Sequence, residues 1–78
     1  MMVKKTPEEN ARAIIQILVD RGVQPLEIDN YSSVETAFTG SKTEFREGLE
    51  YAVQQEWVVI IDQHQVRLTE AGYNAARP

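Results

Sequence analysis

Lys42, Thr43 and Arg46 are the side chains of this sequence whose types and spacing best suit recognition chemistry. An ammonium and a guanidinium one helical turn apart neutralise phosphates, arginine can pair bidentately with a guanine edge, and the threonine hydroxyl between them bonds a phosphate oxygen or a base. On a helix, positions 42, 43 and 46 fall in the first turn and a half and point to one side. Lys4 and Lys5 add a basic pair able to reach a phosphate or a minor groove as an N-terminal arm, and Arg67 adds a further cation. Each has a plainer reading as well. Arg46 stands one turn before Glu50 and can balance it in solvent, Lys4 and Lys5 can be a solvated terminus, and His64 can be an exposed turn histidine without a task.

Other chemistries lack their residues. No serine, histidine and carboxylate form a triad-like grouping, no glycine-rich phosphate loop occurs, and the carboxylates are spread over helix surfaces, so no enzyme and no cofactor are expected. With no cysteine and one histidine, no metal site is expected. The 8 Lys and Arg against 12 Asp and Glu give a net charge of -4, which weighs against nucleic acid unless the cations are concentrated. The 78 residues, 42% hydrophobic and 26% charged, suit one ordinary globular domain over 1–78. No segment approaches the roughly 20 apolar residues of a membrane span. The opening Met1-Met2-Val3-Lys4-Lys5 leads into polar Thr6-Pro7-Glu8-Glu9-Asn10 rather than an apolar stretch, so a cytoplasmic protein without a signal peptide is expected.

The elements that would position these residues are marked by capping residues. Thr6 and Glu9 form a capping box around Pro7, Ala11, Ile14, Ile15 and Leu18 recur at helical spacing, and Gly22 supplies a stop, so a helix is expected over 7–21. Pro25 confines Leu26-Glu27-Ile28 to a short strand at a sheet edge. Ser32 and Glu35 repeat the capping-box spacing and start a short helix with Tyr31, Val34, Ala37 and Phe38 on one face, closed by Thr39-Gly40. Ser41 and Glu44 begin a third helix over 42–55 at once, burying Phe45, Leu49, Ala52 and Val53 with Gly48 at a close approach. Trp57 to Ile61 reads as a strand, Asp62-Gln63-His64-Gln65 as a polar turn, and Val66-Arg67-Leu68 as the returning strand. If residue 61 opposes 66, then Val59, Ile61, Val66 and Leu68 face inward and Val58 and Ile60 outward beside Arg67 and Thr69. Thr69 caps a last helix through Ala75, whose Tyr73 and Ala76 would cover that outer face unless a partner does.

This order resembles the winged helix-turn-helix fold. Two stretches carry the likeness in residue pattern: 41–57, similar to a recognition helix entering a wing, and Leu68-Thr69-Glu70-Ala71-Gly72, an LTxxG stretch similar to that of MarR-like and PadR-like repressors. The resemblance implies an α+β fold with a three-helix core, a small antiparallel hairpin as wing and a short C-terminal helix. It also implies a DNA-binding regulator that presents Lys42, Thr43 and Arg46 to the major groove, with Lys4, Lys5 and Arg67 near phosphates. This chain departs from the pattern in three places. Glu56 stands where glycine is usual, the wing tip carries no lysine or arginine, and the third helix holds two cations against Glu44, Glu47, Glu50 and Glu56. The alternative expectation is a protein-binding module of the same fold, which needs no phosphate contact. A homodimer is expected in either case, with Val58, Ile60 and Tyr73 at its interface.

Overall fold

The Thr6 hydroxyl accepts the Glu9 N–H at 3.1 Å while the Glu9 carboxylate accepts the Thr6 N–H at 2.9 Å, so the first helix begins at a complete capping box. The computed structural model describes residues 5–77, which leaves Lys4 outside the described residues. In chain order the elements are α1 (Pro7–Asp20), β1 (Ile28–Asn30), α2 (Tyr31–Ala37), α3 (Lys42–Gln54), β2 (Val58–Asp62), β3 (Gln65–Leu68) and α4 (Glu70–Ala76). Four helices and one three-stranded antiparallel sheet, ordered β1-β3-β2, make an α+β fold.

Ala11, Ile14, Ile15 and Leu18 of α1 are fully buried, as their spacing requires, against Phe45 and Ala52 of α3 and Val58, Val66 and Leu68 of the sheet. Helices α1 and α3 cross at Gly48, where an added Cβ would lie 2.7 Å from Asn10 Cβ. Asn10 is 1% exposed and its Nδ2 has no hydrogen-bond partner, a buried polar group that the periodicity does not reveal. Leu49 is half-buried, and Val53, expected inside, is 40% exposed.

Two helices end in the same way. After α1 the Val23 N–H reaches the Leu18 carbonyl at 3.0 Å, with Gly22 at φ +87°. After α3 the Trp57 N–H reaches the Ala52 carbonyl at 2.8 Å, and the left-handed position belongs to Glu56 at φ +60°. A side chain there costs roughly 1 kcal/mol relative to glycine. Leu26, at φ +73°, is a second such residue and one not foreseen; its N–H donates to the Leu68 carbonyl at 2.7 Å and its side chain is 61% exposed. This turn moves the first strand from the expected 26–28 to Ile28–Asn30. It also moves the start of α2, whose cap is Asn30, accepting the Ser33 N–H at 3.2 Å, rather than Ser32.

The hairpin register differs from expectation by one residue. Val58 pairs with Leu68, Val59 with Arg67 and Ile60 with Val66, and a bulge between Ile60 and Asp62 lets Asp62 pair with Gln65 across a two-residue turn. Because side chains alternate along a strand, the slip turns Val58 into the core at 1% exposure and Val59 out at 44%. Val58 is therefore a core residue and not an interface candidate. Helix α4 packs chiefly on α1, with Tyr73 half-buried against the core, and does not cover the strand as expected, leaving Val59, Ile60 and Ile61 exposed.

The Leu68-to-Gly72 stretch has a mechanical explanation. Thr69 Oγ1 donates to the carbonyls of Glu56 at 2.6 Å and Trp57 at 2.9 Å, and accepts the Gly72 N–H at 3.0 Å as the cap of α4. Gly72 passes so close to the Trp57 carbonyl that an added Cβ would overlap its oxygen and lie 2.8 Å from its carbon. Gly72→Ala should accordingly cost at least the roughly 1–3 kcal/mol typical of overpacking, read as a lower urea midpoint. Glu56→Gly should raise that midpoint by the equivalent of roughly 0.5–1 kcal/mol, since it relieves a left-handed side chain and leaves the carbonyl that Thr69 uses in place. A loss of stability in Glu56→Gly would refute the strained end of α3.

Candidate nucleic-acid interface

Helices α2 and α3 are separated by residues 38–41 only, and aromatic edges hold them together: the Phe45 ring of α3 meets Phe38 at 5.4 Å and Tyr31 at 5.6 Å. Ser41 starts α3, its hydroxyl accepting the Glu44 N–H at 3.1 Å and its own N–H donating to Glu44 Oε1 at 2.9 Å. Lys42, Thr43 and Arg46 follow in the first turn and a half, all exposed, as their spacing requires. Neither Lys42 nor Arg46 enters an ion pair among the described residues. The helix N-terminus adds a partial positive charge at this end.

The acidic residues of α3 are distributed differently. The Glu44 carboxylate is engaged in the cap. Glu47 is half-buried, and together with Glu50, Tyr51, Gln54 and Pro7 of α1 it borders a shallow depression of about 240 Å³ farther along the helix. The outward surface of α3 thus presents Lys42 and Arg46 in its first turns and Glu50 in its later ones. Lys5 is exposed ahead of the Thr6 cap, where its charge acts on Glu9. The Glu9 carboxyl lies below its ordinary pKa chiefly because it accepts the Thr6 N–H. The structure thus brings Lys42, Thr43 and Arg46 together on the first turns of α3.

Arg67 does not reach the hairpin tip. It sits mid-strand in β3 between Ile28 and Val59, its cross-strand neighbours, and its Nε is shut off from solvent without a hydrogen-bond partner. The tip itself, Gln63 and His64, carries no cation, and the shallow depression beside it is bordered by Asp29 and Asp62. The His64 carbonyl accepts the Tyr31 N–H at 2.8 Å, which ties the tip to the first residue of α2.

Several residues of this surface are not evident in the sequence. Tyr31 lies within the field of Arg46; its hydroxyl is held above its ordinary pKa first by burial and then by Glu35, with Arg46 opposing. Ser32, Ser33 and Thr36 of α2 line a shallow depression of about 370 Å³ with Arg21. Arg21 is bound to Asp29, with Nε at 2.6 Å and Nη2 at 3.3 Å from its two oxygens, a bidentate pair. No periodicity links residues eight apart across a turn, so only the fold shows this pair.

Comparison with protein-family models, with curated proteins and with solved structures finds no match for this chain. Among the described residues no helix is long and apolar enough to cross a membrane, and no three or more His, Asp or Glu side chains are grouped to hold a metal ion.

Arg21 holds the Asp29 carboxyl below the ordinary aspartate pKa, against the opposing effect of burial. A depressed folded-state pKa contributes stability that is fully present above the unfolded value and is lost as pH falls through the folded one. Asp29→Asn should therefore lower the thermal midpoint at neutral pH, and the gap from the parent protein should close as pH drops below the ordinary aspartate range. A gap that stays constant down to pH 2 would show that the pair contributes no pH-dependent stability.

Proposed function

We propose that this chain is a winged-helix domain of transcription-regulator type that binds double-stranded DNA through the first turns of α3, without catalysis, cofactor or metal. The observation that carries the reading is the exposure of Lys42, Thr43 and Arg46, with both cations unpaired, at the start of the second of two helices joined by a short turn. That is the part of a recognition helix that enters a major groove. The element order and the β1-β3-β2 sheet, with β2 and β3 as the wing, agree with the resemblance in the 68–72 stretch. Hydroxyls of Ser32, Ser33 and Thr36 on the preceding helix are of the type that bonds phosphate oxygens. Such an activity belongs in the cytoplasm.

Charge sets the character of this binding. The wing tip offers phosphate no lysine or arginine and has Asp62 beside it, so affinity rests on Lys42 and Arg46 and not on a clamp formed with the wing. Two phosphate contacts correspond to a slope of log affinity against log salt of about -1.8, each contributing about -0.9. Lys42→Ala and Arg46→Ala should each weaken duplex binding, and either should bring the slope near -0.9 if its cation meets a phosphate. An Arg46 that reads a base would instead lose sequence preference with less change in slope. The check is a fluorescence-anisotropy titration of a mixed-sequence duplex between roughly 50 and 200 mM salt. Absence of binding at about 50 mM salt and micromolar protein would overturn the reading in favour of a protein-binding module of the same fold.

A further inference from the structure

All six of the large apolar side chains that stand out as exposed among the described residues lie on or beside the sheet: Leu26, Ile28, Val53, Val59, Ile60 and Ile61. Val59, Ile60 and Ile61 lie on β2, and Val53 borders the same groove. An open groove of about 720 Å³ runs along this strand, its apolar wall made by Val53, Val58, Val59 and Ile60 and its rim carrying Glu56 and Glu70. Strand β2 is at the edge of the sheet, paired on one side only. The Thr69 N–H donates to the Trp57 carbonyl, so ladder alternation turns the backbone of Val59 toward β3 and the N–H and C=O groups of Val58 and Ile60 toward the open edge. Natural edge strands are usually protected by lysine, proline or an inward charge. Between residues 57 and 61 this one has no charge and no proline, and its only blunting device is the bulge before Asp62.

The strand is complementary to itself. If two copies meet antiparallel about Val59, Val58 of each lies opposite Ile60 of the other, and these pairs exchange four backbone hydrogen bonds within the regular part of the strand. The two Val59 side chains then meet as a non-hydrogen-bonded pair, with Cα atoms about 4.5 Å apart. We propose that β2 is a dimerisation edge, on which a second copy of this chain adds its own β2 to form one six-stranded sheet. The proposal is independent of whether α3 binds DNA.

The apolar strip is small, a few hundred Å² on each chain, so the dimer belongs to the weak class. In the Val59-centred register Asp62 of one copy comes opposite Glu56 of the other, so added salt should strengthen association, opposite in sign to its effect on duplex binding.

The test is sedimentation equilibrium of the chain from about 10 μM to 1 mM. The mass should rise from one chain to two, with Ile60→Lys associating at least tenfold more weakly. Val59→Lys, at an exposed position of β2 outside the core, should also weaken association while leaving the thermal midpoint nearly unchanged, which separates loss of the interface from loss of the fold. Because the chain has no cysteine, Val59→Cys is a clean probe: under mild oxidation it should give a covalent dimer, and His64→Cys at the hairpin tip should not. A wild-type chain monomeric at 1 mM would overturn the proposal and leave the edge to a foreign extended segment. A dimer in which Val59→Cys does not cross-link would overturn it as well.

Discussion

The hydroxyl of Thr69 holds the junction on which the sheet and the last two helices depend. Its proton is shared between the carbonyls of Glu56 and Trp57, and its oxygen accepts the Gly72 N–H, so one atom joins the end of α3, the start of β2 and the first turn of α4. The Glu56 carbonyl is available there because the α3 terminus is left-handed. Reversing the chain at that point brings Trp57 back beneath α1, where Arg12 lies 5.1 Å over its ring and Tyr51 meets it edge-on at 5.7 Å. Arg12 also donates to the Ala75 carbonyl at 3.2 Å, so α1, α4 and the start of β2 converge on one aromatic ring. The strain at Glu56 is offset by this set of contacts, which a straight continuation of the helix would lose.

The parts of the fold legible in the sequence are those governed by short-range physics. Two capping boxes, at Thr6 and Ser41, place the starts of α1 and α3 to the residue, because a hydroxyl and a glutamate three positions on leave little alternative. The buried stripe of α1 follows from period alone. What was not legible depends on long-range geometry. The hairpin alternates equally well in two registers, and the choice falls to where α3 stops and to one bulged residue, so Val58 and Val59 exchange faces. The Ser32 and Glu35 spacing is a capping box by pattern, yet Asn30 takes the cap because Leu26 turns the chain earlier. For the candidate site, Lys42, Thr43 and Arg46 were legible as a cluster, whereas the seclusion of Arg67 and the nearness of Tyr31 to Arg46 arise only from packing.

The polarity of α3 reconciles an acidic chain with a basic contact surface. Net charge is a property of the whole molecule, but binding responds to the potential over a few ångströms of helix. Lys42 and Arg46 lie where the capped N-terminus adds its own positive end, and Glu47 and Glu50 lie beyond it toward Pro7. On the proposed reading, an acidic remainder lowers nonspecific attraction to phosphates and favours surfaces that fit only the first turns.

The bond between the His64 carbonyl and the Tyr31 N–H is made by main chain on both sides, and the first N–H of a helix otherwise has no partner within the helix. The hairpin tip is thereby anchored by atoms that every amino acid possesses, while the side chains of Gln63 and His64 remain exposed. Sequence drift at these two positions is thus uncoupled from architecture. A descendant could acquire a cation at the tip, or discard one, and keep the same scaffold, so the chemistry of the wing is the most readily revised trait of this molecule.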